Sequence, residues 1–290
     1  MESNFLTAVF LPLALFILML GMGLGLTLDD FKQVLVDPKS VLLGLIAQLI
    51  MLPIVGFLLA TIFPLTPELA VGVMILAACP GGPSSNLLTY LVRGNVALSI
   101  TLTAVSSLIT VFTIPLVVNL SMQSFMGEAT PLQLPFLKTV MQIAAIAIFP
   151  VLLGMVLHYY KPQLAAKLEK LVKWFSLFFL ALIVFGLLLK ERANLSTFFL
   201  QVGWVTFTLS ASTMTLGYTI ATFAKLHERS AKAITLEVGI QNGTLALAVA
   251  SAPAFLNNPT MAIPAAIYSL LMYLTSAAFV WLIRQRELVS

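Results

Sequence analysis

Leu236-Glu237-Val238-Gly239-Ile240-Gln241-Asn242-Gly243 sets one carboxylate and two carboxamides, spaced by glycines, inside a run that otherwise reads as membrane-buried. A carboxylate at mid-bilayer costs at least about 2.5–3.5 kcal/mol, so it faces a cavity, a counter-ion or a polar neighbour. No lysine or arginine is expected at the same depth, which leaves a bound cation, a proton or a neighbouring helix as its partner. A second polar stretch lies far upstream, Cys79-Pro80-Gly81-Gly82-Pro83-Ser84-Ser85-Asn86. Pro80 and Pro83 remove backbone donors and stop a helix, while Gly81 and Gly82 permit unwinding. Unwound backbone at membrane depth is tolerated only where protein buries it or where it lines a cavity. The two breaks are therefore expected to face each other and to form a site for an ion and a substrate.

Composition supports a membrane setting for this pair. The 290 residues are 60% hydrophobic and 9% charged, against roughly a quarter charged in soluble domains, and the mean hydropathy is +1.05. The net charge of +4 reads as topology, since no clustered basic surface for nucleic acid is present. Cys79 is the single cysteine, so neither an intrachain disulfide nor a Cys/His metal cluster is available. The N-terminus lacks the basic region of a signal peptide, and the first apolar run reads as a retained span.

Apolar runs bounded by charges or turn residues predict an all-α polytopic membrane protein with nine transmembrane helices. The spans are Phe5 to Thr27, Ser40 to Ile62, Pro67 to Val92 (broken), Asn95 to Met122 and Gln133 to Tyr159. Leu168 to Leu189, Ser196 to Ala224, Arg229 to Ala252 (broken) and Pro259 to Ile283 follow. With the N-terminus outside, twelve of the fifteen basic residues fall at inner ends. These are Lys32, Lys39, Arg93, the four lysines from Lys161 to Lys173, the three basic residues from Lys225 to Lys232, Arg284 and Arg286. That asymmetry predicts an outer N-terminus and a cytoplasmic C-terminus in the cell inner membrane.

Spans two to four repeat the order of spans seven to nine: a long span, a broken one, then one flecked with hydroxyls. Members lie five spans apart and so cross in opposite directions, the pattern of an inverted repeat whose broken helices mark the site. Among the acidic residues only Glu237 falls well inside a span. Ser99 and Thr103, at i and i+4, share a helix face close behind the upstream break. Spacing alone leaves open whether they ligate or bond back to their own helix. Gln48 is the one carboxamide of span two, where an interhelical hydrogen bond is the plain reading. Tyr268 and Tyr273 read as packing residues, and His158 and His227 lie at a span end and in a loop.

The residues from Cys79 to Ser99 closely resemble a signature of the bile acid:sodium symporter family, and Glu237 to Asn242 resembles its second signature. The resemblance implies two discontinuous crossing helices in a core domain (40–122 and 196–283) that moves against a panel domain (5–27, 133–159 and 168–189). The chain would be a nine-helix bacterial member in a single transmembrane domain, residues 1–290. The resemblance further implies two sodium sites. The first would use Ser85, Asn86, Ser99, Thr103 and Glu237; the second Gln48, Glu237, Gln241 and the carbonyls of Val238 and Ile240. Substrate would meet Pro83, Ser84, Asn86, Asn242, Gly243 and Thr244 at the half-helix N-termini. Relatives often carry Thr-Ala where this chain has Pro83-Ser84, a change at the substrate end. The implied function is sodium-coupled import of an organic anion, bile-acid-like or a small carboxylate such as pantoate, by alternating access. Neither an enzyme activity nor an obligatory protein partner is implied. The alternatives are a proton-coupled or efflux carrier with Glu237 as the protonation site, and a membrane ligand sensor that does not transport.

Overall fold

Prolines and short polar side chains fix where the helices begin. Pro38, Pro67, Pro162 and Pro259 each stand in the first helical turn, where a missing N–H costs nothing. Asp37, Thr66, Asn95 and Asn242 accept from the backbone N–H three residues on. The computed structural model describes residues 11–127, 133–190 and 195–289. Within these, α1 (Leu11–Leu24) is followed by a 3-10 turn (Leu28–Lys32) and the short α2 (Gln33–Val36). Then α3 (Pro38–Ile46) passes through a π-turn (Ala47–Met51) into α4 (Leu52–Ile62). The first broken pair is α5 (Pro67–Ala78) and α6 (Ser84–Leu91), and α7 is Val96–Met126. A second π-turn, Ala144–Ile148, joins α8 (Phe136–Ile143) to α9 (Phe149–Tyr160). The chain continues as α10 (Pro162–Lys190), α11 (Leu195–Phe223), the second broken pair α12 (Glu228–Gly239) and α13 (Gly243–Ser251), and α14 (Pro259–Val289).

Both interruptions expected from the sequence are present, and no strand is found among the described residues. The start of the first expected span, residues 5–10, lies outside the described residues. Among the described residues, four stretches are long and apolar enough to cross a bilayer alone: Pro38–Ile62, Val96–Met126, Phe136–Tyr160 and Pro259–Gln285. The pair from Leu11 to Val36, bent by 77°, makes a fifth if taken as one span. Hydropathy barely pauses at Arg93-Gly94-Asn95, yet the backbone turns sharply there. Arg93 adopts φ +53°, and the N–H groups of Gly94 and Asn95 donate to the carbonyls of Thr89 and Arg229.

Burial is inverted relative to a soluble bundle. Every residue of α5 from Leu69 to Ala78, of α12 from Ser230, and of α13 is buried, so these three half-helices occupy the centre, while α6 buries only Ser85 and Thr89. Large apolar side chains instead point outward, among them Ile50, Ile54 and Phe57 on the α3–α4 rod and Phe112, Leu116 and Leu120 on α7. A surface of that kind is stable against lipid and costly against water. Centrally, α5 packs among α4, α7 and α14, while α11 packs on α12 and α14. To one side, α1, α9 and α10 pack on one another. Gly23 and Gly154 let α1 and α9 touch backbone to backbone: a Cβ on either would run into the other helix's main chain.

Candidate cation site between two helix breaks

The breaks cross each other as a two-rung antiparallel bridge between Gly81 and Gln241. The Gly82 N–H donates to the Ile240 carbonyl at 2.8 Å, and the Asn242 N–H to the Pro80 carbonyl at 2.9 Å. Backbone groups freed by unwinding thus satisfy one another where no water is available. The crossing is so close that a Cβ at Gly81 would occupy the space of the Glu237 carboxylate. That is why two glycines stand between the prolines.

Glu237 lies in the last turn of α12 and is fully buried. Ser85 donates to its Oε2 at 2.7 Å, Ser99 to the same oxygen at 3.3 Å, and Thr103 to Oε1 at 2.7 Å. The Asn86 Oδ1 faces the same group, 2.8 Å from Ser99 Oγ and 3.5 Å from the hydroxyls of Ser85 and Thr103. The Ser85 hydroxyl lies 3.4 Å from that of Ser99 and 3.5 Å from that of Thr103. All five residues the sequence assigns to the first ion site are therefore brought together, and every polar atom named there is oxygen. Several separations match the octahedral edge of oxygens about 2.4 Å from a hard cation, roughly 3.4 Å. The shortest contacts in the cluster, at 2.7–2.8 Å, are ordinary hydrogen bonds. Thr103 also bonds back to the Ser99 carbonyl at 3.0 Å, so of the two readings that spacing left open the back-bond is present, beside the bond to Glu237.

Gln48 and Gln241 form a second oxygen-rich group. The π-turn at Ala47–Met51 widens the helix around Gln48, a distortion frequent at functional sites. Its Nε2 donates to Gln241 Oε1 at 2.7 Å and to the Cys79 carbonyl at 3.1 Å. Gln241 Nε2 donates in turn to the Val238 carbonyl at 2.8 Å. The Gln48 Oε1 is buried with no hydrogen-bond partner, an acceptor whose desolvation is uncompensated. The side-chain hydrogen bonds of Glu237 go to the Ser85, Ser99 and Thr103 hydroxyls, and this second group connects to it through the backbone of Val238.

The residues expected at the substrate end are also adjacent. Pro83 stands just before α6 without a capping hydrogen bond, and Ser84 Oγ lies 3.0 Å from the Tyr273 hydroxyl. The Asn242 side chain is occupied in accepting from Leu245 N at 3.0 Å. Gly243 packs so tightly on α14 that a Cβ would strike Ser269 Oγ, and Thr244 is buried beside it. Elsewhere, α1, α7 and α9 with the 3-10 turn line a partly open cavity of about 260 Å³, with residues such as Met19, Phe31, Ala104, Ser107 and Val151. Ser107 donates to the carbonyl of Thr103 at 2.6 Å, so this apolar space begins one turn from the cage.

Some participants escape a reading of the sequence. Thr89 is buried and donates to Ser99 Oγ at 3.3 Å; its i+4 spacing from Ser85 was the available signal. Tyr268 and Tyr273 do more than pack, because each hydroxyl bonds to one of the two breaks. Lys232, expected at the inner end of its span, is buried, its ammonium 3.0 Å from Glu228, whose side chain is 64% exposed.

Broken helices, an apolar exterior and a buried cluster of oxygens mark a multi-pass membrane protein. Residues 12–198 match the family described as the Sodium Bile acid symporter family. The chain belongs to that family, one of sodium-dependent transporters rather than enzymes. It is 34% identical over 264 residues to the uncharacterized sodium-dependent transporter YocS of Bacillus subtilis, covering 90% of this chain and 78% of that protein. It is 33% identical to the probable sodium/metabolite cotransporter BASS1, chloroplastic, of Oryza sativa (87% of this chain, 60% of that one). The human P3 protein is 31% identical (86% and 51%). The chain therefore spans only half to three-fifths of the rice and human relatives' length.

Proposed function

We propose that the chain is a sodium-coupled symporter that imports an organic anion by alternating access. The observation that carries this is the buried cage in which Ser85, Asn86, Ser99, Thr103 and Glu237 converge from both breaks. A cation there holds α6, α7 and α12 together, and its charge offsets the desolvated Glu237 carboxylate. A second ion at Gln48, Gln241 and the Val238 and Ile240 carbonyls gives the unpartnered Gln48 Oε1 its missing contact. The Glu237 carboxylate is shared between the two ions, so its loss removes both.

With both breaks ordered, the substrate carboxylate meets the half-helix N-termini at Pro83, Ser84 and Asn86 and at Asn242, Gly243 and Thr244, where free N–H groups and the helix dipole favour an anion. Its apolar body occupies the cavity between α7 and the α1–α9 pair. That pair with α10 acts as the panel, and the two broken pairs with their neighbours act as an inverted-repeat core. The nine spans run from an outer N-terminus to a cytoplasmic C-terminus in the cell inner membrane. Two sodium ions moving with a monoanion carry one net charge, so a potential of 100 mV contributes about 2.3 kcal/mol to uptake.

The test is uptake of labelled organic anions, bile acids and small carboxylates alike, into proteoliposomes. An inward sodium gradient is expected to drive accumulation that an equal potassium gradient does not. Equal transport in sodium-free, pH-clamped buffer overturns sodium coupling, and dependence on a proton gradient instead assigns Glu237 to a proton.

A further inference from the structure

The last turn of α12 frees carbonyls that an unbroken helix would occupy, and the structure disposes of each differently. The Val238 carbonyl accepts from Gln241 Nε2 at 2.8 Å and Thr213 Oγ1 at 3.3 Å. The Ile240 carbonyl accepts from Gly82 N across the bridge. Gly239 is the odd one: its carbonyl accepts from Tyr268 on α14 at 2.9 Å, with Ser210 on α11 more distant at 3.5 Å. Tyr268 is among the largest fully buried side chains, and Ser210 is itself held 2.7 Å from Thr275 on α14. Ile240 is extended, with φ −117° and ψ 105°, and carbonyls before and after an extended residue point to opposite sides of the chain. Pulling the Gly239 carbonyl toward α14 therefore turns the Ile240 carbonyl the other way, toward the opposing break.

We infer that Tyr268 is a positioning residue for the second ion site: its hydroxyl pins the Gly239 carbonyl and thereby sets the direction of the Ile240 carbonyl beside Gln241 and Gln48. The inference rests on the two-ion reading proposed above. Without the phenolic hydroxyl, the Gly239–Ile240 peptide keeps only the Ile240 N–H to the Leu236 carbonyl at 3.1 Å and Ser210 at 3.5 Å, while Glu237, a half-turn back on α12, keeps its own bonds to Ser85, Ser99 and Thr103. Only one of the two ions should feel the loss.

Radioactive sodium binding to the purified protein in nanodiscs, at ionic strength held constant with potassium, tests this without knowledge of the anion. The wild type should show two components. Tyr268→Phe, which keeps the ring, should weaken one of them by about tenfold, the factor for a hydrogen bond of about 1.4 kcal/mol. Ser85→Ala should weaken the other. In sodium-free buffer Tyr268→Phe should lose some stability, as loss of a buried hydrogen bond requires; the discriminating readout is selective weakening of one sodium component, which a merely structural role would not produce. Two unchanged components in Tyr268→Phe, or equal weakening of both, overturn the inference. Should that variant not fold, Ser210→Ala loosens the same carbonyl. A two- to threefold weakening of the same component is then expected, and unchanged binding counts against the inference. Absence of sodium binding to the wild type overturns the two-ion reading itself.

Discussion

The two breaks meet in one site, yet they are made differently. The upstream one is imposed by the main chain: Pro80 and Pro83 cannot donate, and Gly81 and Gly82 leave room for the crossing strand. The downstream break contains no proline. Gln241 holds the Val238 carbonyl, Asn242 caps α13, and Tyr268 takes the Gly239 carbonyl. One break is fixed by covalent structure and the other by side-chain hydrogen bonds. The carboxylate rides on the second, so the interruption that carries the charge is the one held by side-chain hydrogen bonds.

This contrast is open to attack at several points. Gly81→Ala has the largest expected effect, since its methyl group collides with the Glu237 carboxylate. Overpacking of this kind costs about 1–3 kcal/mol, and denaturation with and without sodium should show lower stability and no sodium response. Gln241→Ala removes both the partner of Gln48 and a donor to Val238. Sodium binding is expected to fall by about tenfold or more, with buried amide groups left unpaired; a wild-type isotherm would show that the second oxygen group holds no ion. Asn242→Ala deletes the cap on Leu245 and should destabilise the protein by about 1 kcal/mol, measurable by thermal melting. Ser84→Ala touches only the rim, where the hydroxyl meets Tyr273. It should leave sodium binding within about twofold, a change below about 0.5 kcal/mol, while altering which anions compete for uptake.

The same contrast explains what could be read from the sequence. Prolines, paired glycines and a carboxylate in an apolar run are local signals, so both breaks and Glu237 are visible before any folding is considered. Spacing puts Ser99 and Thr103 on one helix face but leaves their role open; grouping Ser85, Asn86, Ser99 and Thr103 into one set is what the family resemblance implies. The π-turn that frames Gln48 has no such signature, because a π-turn is settled by what packs around it. Tyr268 is likewise hidden: nothing near it in sequence indicates that its hydroxyl reaches Gly239, 29 residues away. Helix ends shifted for similar reasons. The last turn of α7 runs past Met122 to Met126, and α10 begins at Pro162 rather than near Leu168, since an amphipathic turn at the rim is decided by its neighbours.

The most direct test is a sodium titration of thermal stability, at ionic strength fixed with potassium, on the wild type and on Glu237→Ala and Glu237→Gln. Ligand binding stabilises the folded state by RT ln(1 + [L]/Kd), about 2.7 kcal/mol at a hundredfold excess over Kd. The wild type should therefore gain stability progressively with sodium, and both variants should show a flat response. A sodium-dependent rise that survives the loss of the Glu237 carboxylate would contradict the assignment of that residue as the shared ligand of the two breaks.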